Sequence, residues 1–189
     1  NREVVIFLDR ENNLEIIGEE LSLLSNLNHL KVSNLKQAFD FAEKIGFPEH
    51  ALCVMLSDYP KNSNEIIKGI NTEKALIEAI NKGLSQSSNG KVHLETDMRA
   101  MYNPTRMKNI EKATYNLLEK INCICPNCST PGFDIIQRIQ GLPCEWCNTP
   151  TTLTRSVIYK CQQCGYRKEK LFPDGKKFAD PSQCLYCNP

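Results

Sequence analysis

Four Cys-x-x-Cys pairs in the final third of the chain constrain its fold more than any other feature. Eight of the ten cysteines fall in these pairs, and two such loops can bring four thiolates to one tetrahedral metal ion. In chain order the first to fourth pairs are Cys125/Cys128, Cys144/Cys147, Cys161/Cys164 and Cys184/Cys187. The spacing predicts that these eight cysteines hold two zinc ions, with iron–sulfur binding as the minor alternative.

Both predicted zinc sites are expected to be structural. A catalytic zinc keeps one open position and usually has histidine or carboxylate among its three protein ligands. No histidine follows residue 93, and four thiolates leave no position for water or substrate. The metal would then replace a core that so short a segment cannot supply. Cysteine pairs in a chain without a visible export signal favour the reducing cytoplasm over a disulfide framework.

The sequence leaves the partnership of the four pairs open. Intervals of 15, 13 and 19 residues separate them, and each is long enough for a β-hairpin, as in a zinc ribbon. Sequential pairing gives two ribbons in tandem, and lower loop-closure costs favour it slightly. Nested pairing joins the second pair to the third and the first to the fourth. "CNTPTTLTRSVIYKCQQCGY" reads as a ribbon by itself and supports nesting. Cys53 and Cys123 are interpreted as bystanders.

The rest of the chain alternates strand-like and helix-like patterns. Residues 1–121 predict an α/β domain in the order β-β-α-β-α-β-α, and residues 122–189 predict a small β-rich domain, the double zinc ribbon. The third helix is expected to begin at Pro104 with Asn103 as its cap. Helical spacing places five residues on its buried side: Met107, Ile110, Thr114, Leu117 and Ile121. No apolar run approaches the roughly 20 residues that span a bilayer, so no membrane partner is expected.

The segment "ETDMRAMYNPTRM" holds most of the remaining chemistry. Glu95 and Asp97 share one face of a strand and can bind Mg²⁺ together with substrate phosphates. Arg99 and Arg106 can grip a phosphate or carboxylate, which a helix start capped by Asn103 also favours. In the plain alternative, Asp97 pairs with Arg99, Asn103 only caps the helix, and Arg106 is a solvated surface residue.

The three histidines carry weaker predictions. His93 shares the strand face of Glu95 and can join it as a base or a ligand. His29 and His50 are predicted to lie in loops. The common sequence motifs of nucleotide-binding loops, serine hydrolases and zinc proteases do not occur, so whether the protein is an enzyme stays open.

Composition is compatible with two classes of function. The first is a cytoplasmic protein whose α/β domain binds a phosphate- or carboxylate-bearing small molecule, with nucleotides among the candidates. The second is a nucleic-acid-binding or protein-adaptor zinc ribbon. Its basic residues would be Arg155, Lys160, Arg167, Lys168 and Lys170, with Tyr159, Tyr166 and Phe172 stacking on bases. A net charge of +1 for the chain gives little pull toward nucleic acid.

Five motifs together resemble one bacterial family, called domain of unknown function 6671. They are "LETDMRAMYNPTRM", "CPNC-x-x-PGF", "GLPCEWC-x-x-PT", "YKCQQCGY" and "ADPSQCLYCNP", and the resemblance extends over essentially the whole chain. It implies no established activity. It does imply that Asp97, Arg99, Asn103 and Arg106 lie in a family motif. It also implies that a further segment precedes the strand at "NREVVIFLDR", so that this chain is the later part of a longer protein.

Overall fold

The computed structural model divides the chain into two compact units. It describes residues 1–56, 60 and 62–188. The first unit contains Asn1–Glu3 and Glu20–Ala113, and the second contains Val4–Glu19 and Thr114–Pro189. The sequence predicted two domains that follow one another along the chain, residues 1–121 and 122–189. That division stays a prediction.

Strands and helices alternate over much of the first unit, whereas three consecutive strands follow the last α-helix in the second. The strands are β1 (Arg2–Asp9), β2 (Leu14–Leu21), β3 (His29–Val32), β4 (Leu52–Met55), β5 (Ile66–Ile70), β6 (Val92–Thr96), β7 (Asp134–Gln140), β8 (Thr154–Lys160) and β9 (Arg167–Leu171). The α-helices are α1 (Leu35–Ile45), α2 (Glu73–Gln86) and α3 (Pro104–Asn122). The mixed α/β character is therefore confirmed, although β3 and β5 were not predicted. Among the described residues, no helix combines the length and apolar character needed to cross a membrane.

In the first unit, α1 and α2 pack on one face of a four-stranded sheet with the order β3-β6-β4-β5. Side-chain caps fix the start of both helices. The side chain of Asn34 accepts a hydrogen bond from the Gln37 amide at 2.9 Å, and that of Thr72 accepts one from the Ala75 amide at 3.3 Å. Gly46 ends α1 in the left-handed conformation, with φ at 85°, where a residue without a β-carbon fits best.

Every neighbouring pair of strands in this sheet is antiparallel. Along β6, Val92 and Leu94 are buried in the core, whereas His93 and Glu95 lie on the opposite face, so the predicted alternation is confirmed for these four residues. Asp97 was expected on the face of Glu95, but it follows the end of β6 and is buried. An antiparallel sheet does not gather the carboxyl ends of its strands at one edge. The crevice that holds ligands in parallel α/β sheets therefore gives no support to a site here.

The second unit contains a three-stranded antiparallel sheet with the order β7-β8-β9. All five residues of β9 are exposed, as in a charged edge strand that resists further pairing. A small apolar cluster joins Leu14 and Ile16 of β2 to Leu117 of α3. The predicted buried side of α3 is wrong at its start, because Met107 is 48% exposed, whereas Ala113 is fully buried.

Candidate metal centres and the segment 95–107

The structure gathers the eight paired cysteines into two groups of four. Each set of Sγ atoms lies within 4.8 Å of one another, in the groups Cys125/Cys128/Cys161/Cys164 and Cys144/Cys147/Cys184/Cys187. Sulfur–sulfur distances between pairs run from 3.5 Å to 3.9 Å. A tetrahedral ion with zinc–sulfur bonds of about 2.3 Å separates its sulfurs by about 3.8 Å. Both groups therefore fit one tetrahedral metal ion each.

The partnership of the pairs is interleaved. The first pair joins the third, and the second joins the fourth. The slight preference for sequential pairing is wrong, and so is the nested alternative. Both rested on the assumption that an interval between pairs can hold a hairpin, whereas each of the three intervals holds one strand of the sheet.

Strand geometry explains the interleaving. A strand of seven residues, such as β7, spans about 23 Å and so carries the chain from one end of the sheet to the other. The next strand, which is antiparallel to the first, returns the chain to the end of the sheet where it started. The start of β7 at Asp134 lies opposite the end of β8 at Lys160, which places the first and third pairs at one end. Ser156 near the start of β8 lies opposite Leu171 at the end of β9, which places the second and fourth pairs at the other.

Local hydrogen bonds shape each Cys-x-x-Cys turn. The amide four residues after the first cysteine donates to that cysteine's carbonyl, as from Ser129 to Cys125 at 2.9 Å. The first cysteine of every pair is buried, and the second is more exposed. A side-chain hydrogen bond with Thr130, 3.2 Å from the sulfur, lowers the pKa of Cys128 to about 6. The equivalent bond with Thr149 does the same for Cys147. Both thiols are thereby biased toward the thiolate that binds metal.

Asp97 is fully engaged within the protein. Its buried carboxylate accepts hydrogen bonds from the backbone amides of Gly69 at 2.9 Å and Arg99 at 3.0 Å. The Arg99 guanidinium adds an ion pair at 2.6 Å. Burial acts to raise the pKa of Asp97, but these hydrogen bonds outweigh it and the pKa is lowered. Arg99 also lies over the ring of Tyr102, 4.6 Å from its centroid.

Asn103 and Arg106 likewise have partners inside the first unit. The side-chain oxygen Oδ1 of Asn103 caps α3 by accepting a hydrogen bond from the Arg106 amide at 3.0 Å, which confirms the predicted cap. Arg106 donates from Nε and Nη2 to the two carboxylate oxygens of Glu3, at 3.0 Å and 3.3 Å. Its Nη1 donates to the Met98 carbonyl at 2.7 Å. Of the plain alternative, the pairing of Asp97 with Arg99 is present. Asn103 does more than cap the helix, because its Nδ2 also donates to Asn26 Oδ1 at 2.9 Å, and Arg106 is bound to Glu3 rather than solvated.

Glu95 stands apart from this network. Its Oε2 lies 3.4 Å from Nε2 of His93, and the side chain is 33% exposed. The sequence showed that these two residues share a strand face, but it did not reveal Glu3 or Gly69 as partners. Those residues lie 103 positions from Arg106 and 28 from Asp97, and no local pattern marks contacts over such separations.

The two unpaired cysteines lie outside both four-cysteine groups. Cys53 is buried in β4, and burial together with the nearby carboxylates of Asp97 and Glu95 raises its pKa to about 12. Such a thiol stays protonated and unreactive. Cys123 packs beside the small cluster formed around Phe133.

Comparison with known proteins gives one family. A family model described as "Domain of unknown function (DUF6671)" matches residues 1–189, which confirms the resemblance seen in the sequence motifs. No curated protein and no solved structure matches the chain.

Proposed function

The chain belongs to the family called domain of unknown function 6671, and from that premise we propose that it is a zinc-stabilised module. Each four-cysteine group would hold one structural Zn²⁺. The observation that carries this proposal is the placement of eight sulfurs in two groups of tetrahedral dimensions. Four thiolates complete the coordination of zinc and leave no position for a substrate. The free thiols suit the reducing cytoplasm, which we propose as the location of the protein.

Metal analysis tests this part of the proposal. We expect two zinc atoms per purified chain and one after either Cys128→Ala or Cys147→Ala. The matched control is Cys53→Ala, which removes a cysteine from neither group and should retain both ions. Iron with strong visible absorption would show that the groups hold clusters, and a content of two zinc atoms in both ligand variants would contradict the assignment.

We further propose that the first unit binds a small phosphate- or carboxylate-bearing molecule at segment 95–107, with nucleotides among the candidates. The support is the way Arg106 already grips a carboxylate, since its Nε and Nη2 contact both oxygens of Glu3. This side-on geometry is the one that selects carboxylates and phosphates. An incoming anion would take the place of Glu3. Mg²⁺ would serve as an additional cofactor through Glu95, while Arg99 and Asn103 keep the segment in shape.

Displacement of Glu3 provides the test. A thermal-shift panel of nucleotides, sugar phosphates and carboxylates, each with and without Mg²⁺, should contain a ligand that stabilises the zinc-loaded protein. At 100 times its dissociation constant, a ligand adds about 2.7 kcal/mol. Glu3→Gln should tighten binding because it removes the competing carboxylate, and Arg106→Ala should abolish it. Lys108→Ala, an exposed cation on the same helix, is the control. A flat panel for both wild type and Glu3→Gln would refute the site.

The sheet of the second unit supports an alternative, nucleic-acid-binding function. Lys168 of the exposed strand β9 lies opposite Tyr159, so an aromatic ring and a cation share one face, as in surfaces that stack bases and contact phosphates. A fluorescent single-stranded oligonucleotide should then bind, with affinity falling steeply as salt rises. Binding that is absent at low salt would remove this alternative and leave the adaptor function to be tested by capture of a protein partner.

A further inference from the structure

The outer strand β9 leaves one edge of the three-stranded sheet open. In the order β7-β8-β9, it pairs with β8 alone. Two backbone hydrogen bonds just beyond its ends continue this pairing. The Phe172 amide donates to the Arg155 carbonyl at 2.7 Å, and the Cys161 amide donates to the Tyr166 carbonyl at 2.9 Å. Both bonds follow the register of the two strands, so they fix which residues of β9 bond to β8.

Alternate residues of β9 direct their backbone groups away from β8. In an antiparallel pair, residues that exchange hydrogen bonds with the partner strand alternate with residues whose amide and carbonyl groups point outward. Counting from the two flanking bonds, Lys168 and Lys170 bond to β8, whereas Arg167, Glu169 and Leu171 turn outward. No strand of the described residues pairs with the outward groups. All five residues are exposed, so an incoming strand can reach these groups.

The two outer strands of this sheet differ in regularity. The register of β7 on β8 shifts twice, between Ile135 and Gln137 and between Ile139 and Gln140. Such irregularities bend and twist a strand, which protects an edge from further pairing. Strand β9 pairs with β8 without a shift over Arg167–Leu171 and contains no proline. Its charged side chains are therefore its main protection against pairing with other strands.

Those charges repel a strand of like charge and attract one of opposite charge. Strand β9 carries three basic residues and one acidic residue. Lys168 lies opposite Tyr159, and Lys170 shares the same face. Both lysines line a cavity of about 360 Å³ that Phe133 and Tyr159 also line. Carboxylates paired with these lysines would lie beside apolar surface, where water screens charge less than it does in open solution.

We propose that β9 is a docking edge for an acidic peptide segment of a partner protein, which pairs with it as a fourth strand. Backbone groups of the peptide bond to Arg167, Glu169 and Leu171, and carboxylates at alternate positions face Lys168 and Lys170. The open backbone edge favours a peptide over nucleic acid, because nucleic acid has no amide backbone that continues a sheet. This inference names a partner for the adaptor function and rests on the proposed zinc-stabilised sheet, but it requires neither the anion site nor oligonucleotide binding.

Fluorescence anisotropy with a labelled peptide tests the docking edge. In this peptide glutamate alternates with threonine and valine, so that carboxylates face the lysines in either strand direction. The zinc-loaded protein should bind this peptide. A control peptide of the same composition with consecutive glutamates should bind about tenfold more weakly, because half of its carboxylates would face away from the lysines.

The sharpest variant is Glu169→Pro. It removes one outward amide but leaves the bonds of Lys168 and Lys170 to β8, and an edge strand accepts proline where the amide faces solvent. Binding should weaken about tenfold. The matched control Glu169→Thr removes the same charge but keeps the amide, so it should bind at least as tightly as the wild type. Zinc analysis of both variants shows whether the sheet is intact.

Charge reversal gives a second test that does not depend on proline. Lys168→Glu combined with Lys170→Glu should lose the acidic peptide and bind a matching peptide with lysine in place of glutamate. If Glu169→Pro loses zinc, the charge-reversal measurements decide, because a loss of zinc reports on the zinc-stabilised fold and not on the docking edge.

Three results would overturn the inference. The first is an absence of peptide binding by the zinc-loaded protein at low salt, in which case a single-stranded oligonucleotide that does bind assigns this face to nucleic acid. The second is equal peptide binding by zinc-loaded Glu169→Pro and Glu169→Thr, which would show charge attraction without strand pairing. The third is a zinc-loaded charge-reversal variant that still binds the acidic peptide or does not bind the lysine peptide.

Discussion

Replacing Asp97 by asparagine tests how the segment 95–107 is built. The carboxylate is 2% exposed, accepts hydrogen bonds from two backbone amides and forms an ion pair with the Arg99 guanidinium. Asparagine keeps one acceptor oxygen and turns an NH₂ group toward one of these donors. At least one buried donor is then unsatisfied, which costs about 1–3 kcal/mol, and the charge that balances Arg99 disappears. We expect a total loss of about 2 kcal/mol, because Arg99 is 44% exposed and water screens its lost partner, so the unsatisfied buried donor contributes most of the cost.

A second ion pair of the chain supplies the matched control. Asp40 pairs with Lys36 at 2.8 Å, but these side chains are 61% and 84% exposed, so Asp40→Asn should cost at most about 0.5 kcal/mol. Urea denaturation of the zinc-loaded proteins, followed by circular dichroism at the helical band, measures both. If Asp97→Asn costs no more than Asp40→Asn, the carboxylate does not hold the segment together, and the structural reasoning fails.

The same variant carries a pH signature. Because the pKa of Asp97 is lowered in the folded protein, its carboxylate stabilises the fold fully at pH values above its unfolded pKa of about 3.9. That contribution is lost as the pH falls through the lower, folded pKa. The stability difference between wild type and Asp97→Asn should therefore be constant near neutral pH and shrink below about pH 4. A difference that grows on acidification would refute the reasoning.

Two further predictions concern the second unit. Cys128→Ala combined with Cys161→Ala removes two ligands of one group and should leave one zinc atom per chain. Cys128→Ala combined with Cys144→Ala removes one ligand from each group and should leave none. Sequential pairing predicts the reverse, and metal analysis distinguishes the two. Gly132 has φ at 78°, and a β-carbon there would lie 2.9 Å from the Ile16 side chain. Gly132→Ala should therefore cost about 1–3 kcal/mol more in urea denaturation than Gly90→Ala. Gly90 has a similar φ, and a β-carbon there would have no neighbour within 4 Å. Equal costs would contradict the crowding.

Local signals in the sequence predicted what local physics determines. The Cys-x-x-Cys spacing identified all eight members of the two groups, and cap chemistry placed Asn103 at the start of α3. The partnership of the pairs was missed because loop-closure entropy differs little among the alternatives. The number of strands between two pairs decides which pairs share a group. Two pairs separated by one strand lie at opposite ends of the sheet, and two pairs separated by two strands lie at the same end.

Longer-range contacts were beyond the reach of the sequence. Arg106 is an exposed first-turn residue by pattern, yet it binds Glu3. His29 was assigned to a loop because "HLKV" is too short to show strand periodicity, and only the pairing of β3 with β6 brings it beside His93. Both errors concern tertiary contacts, and sheet register in particular is a tertiary property that four residues cannot encode alone.

The interleaved cysteine groups also set an order of assembly during synthesis. The first group lacks half of its ligands until Cys161 and Cys164 have emerged from the ribosome, and by then the second pair is already enclosed in the loop that this group closes. The second group can close only around a loop that contains the third pair. A nascent chain therefore completes the ligand set of the first group before that of the second.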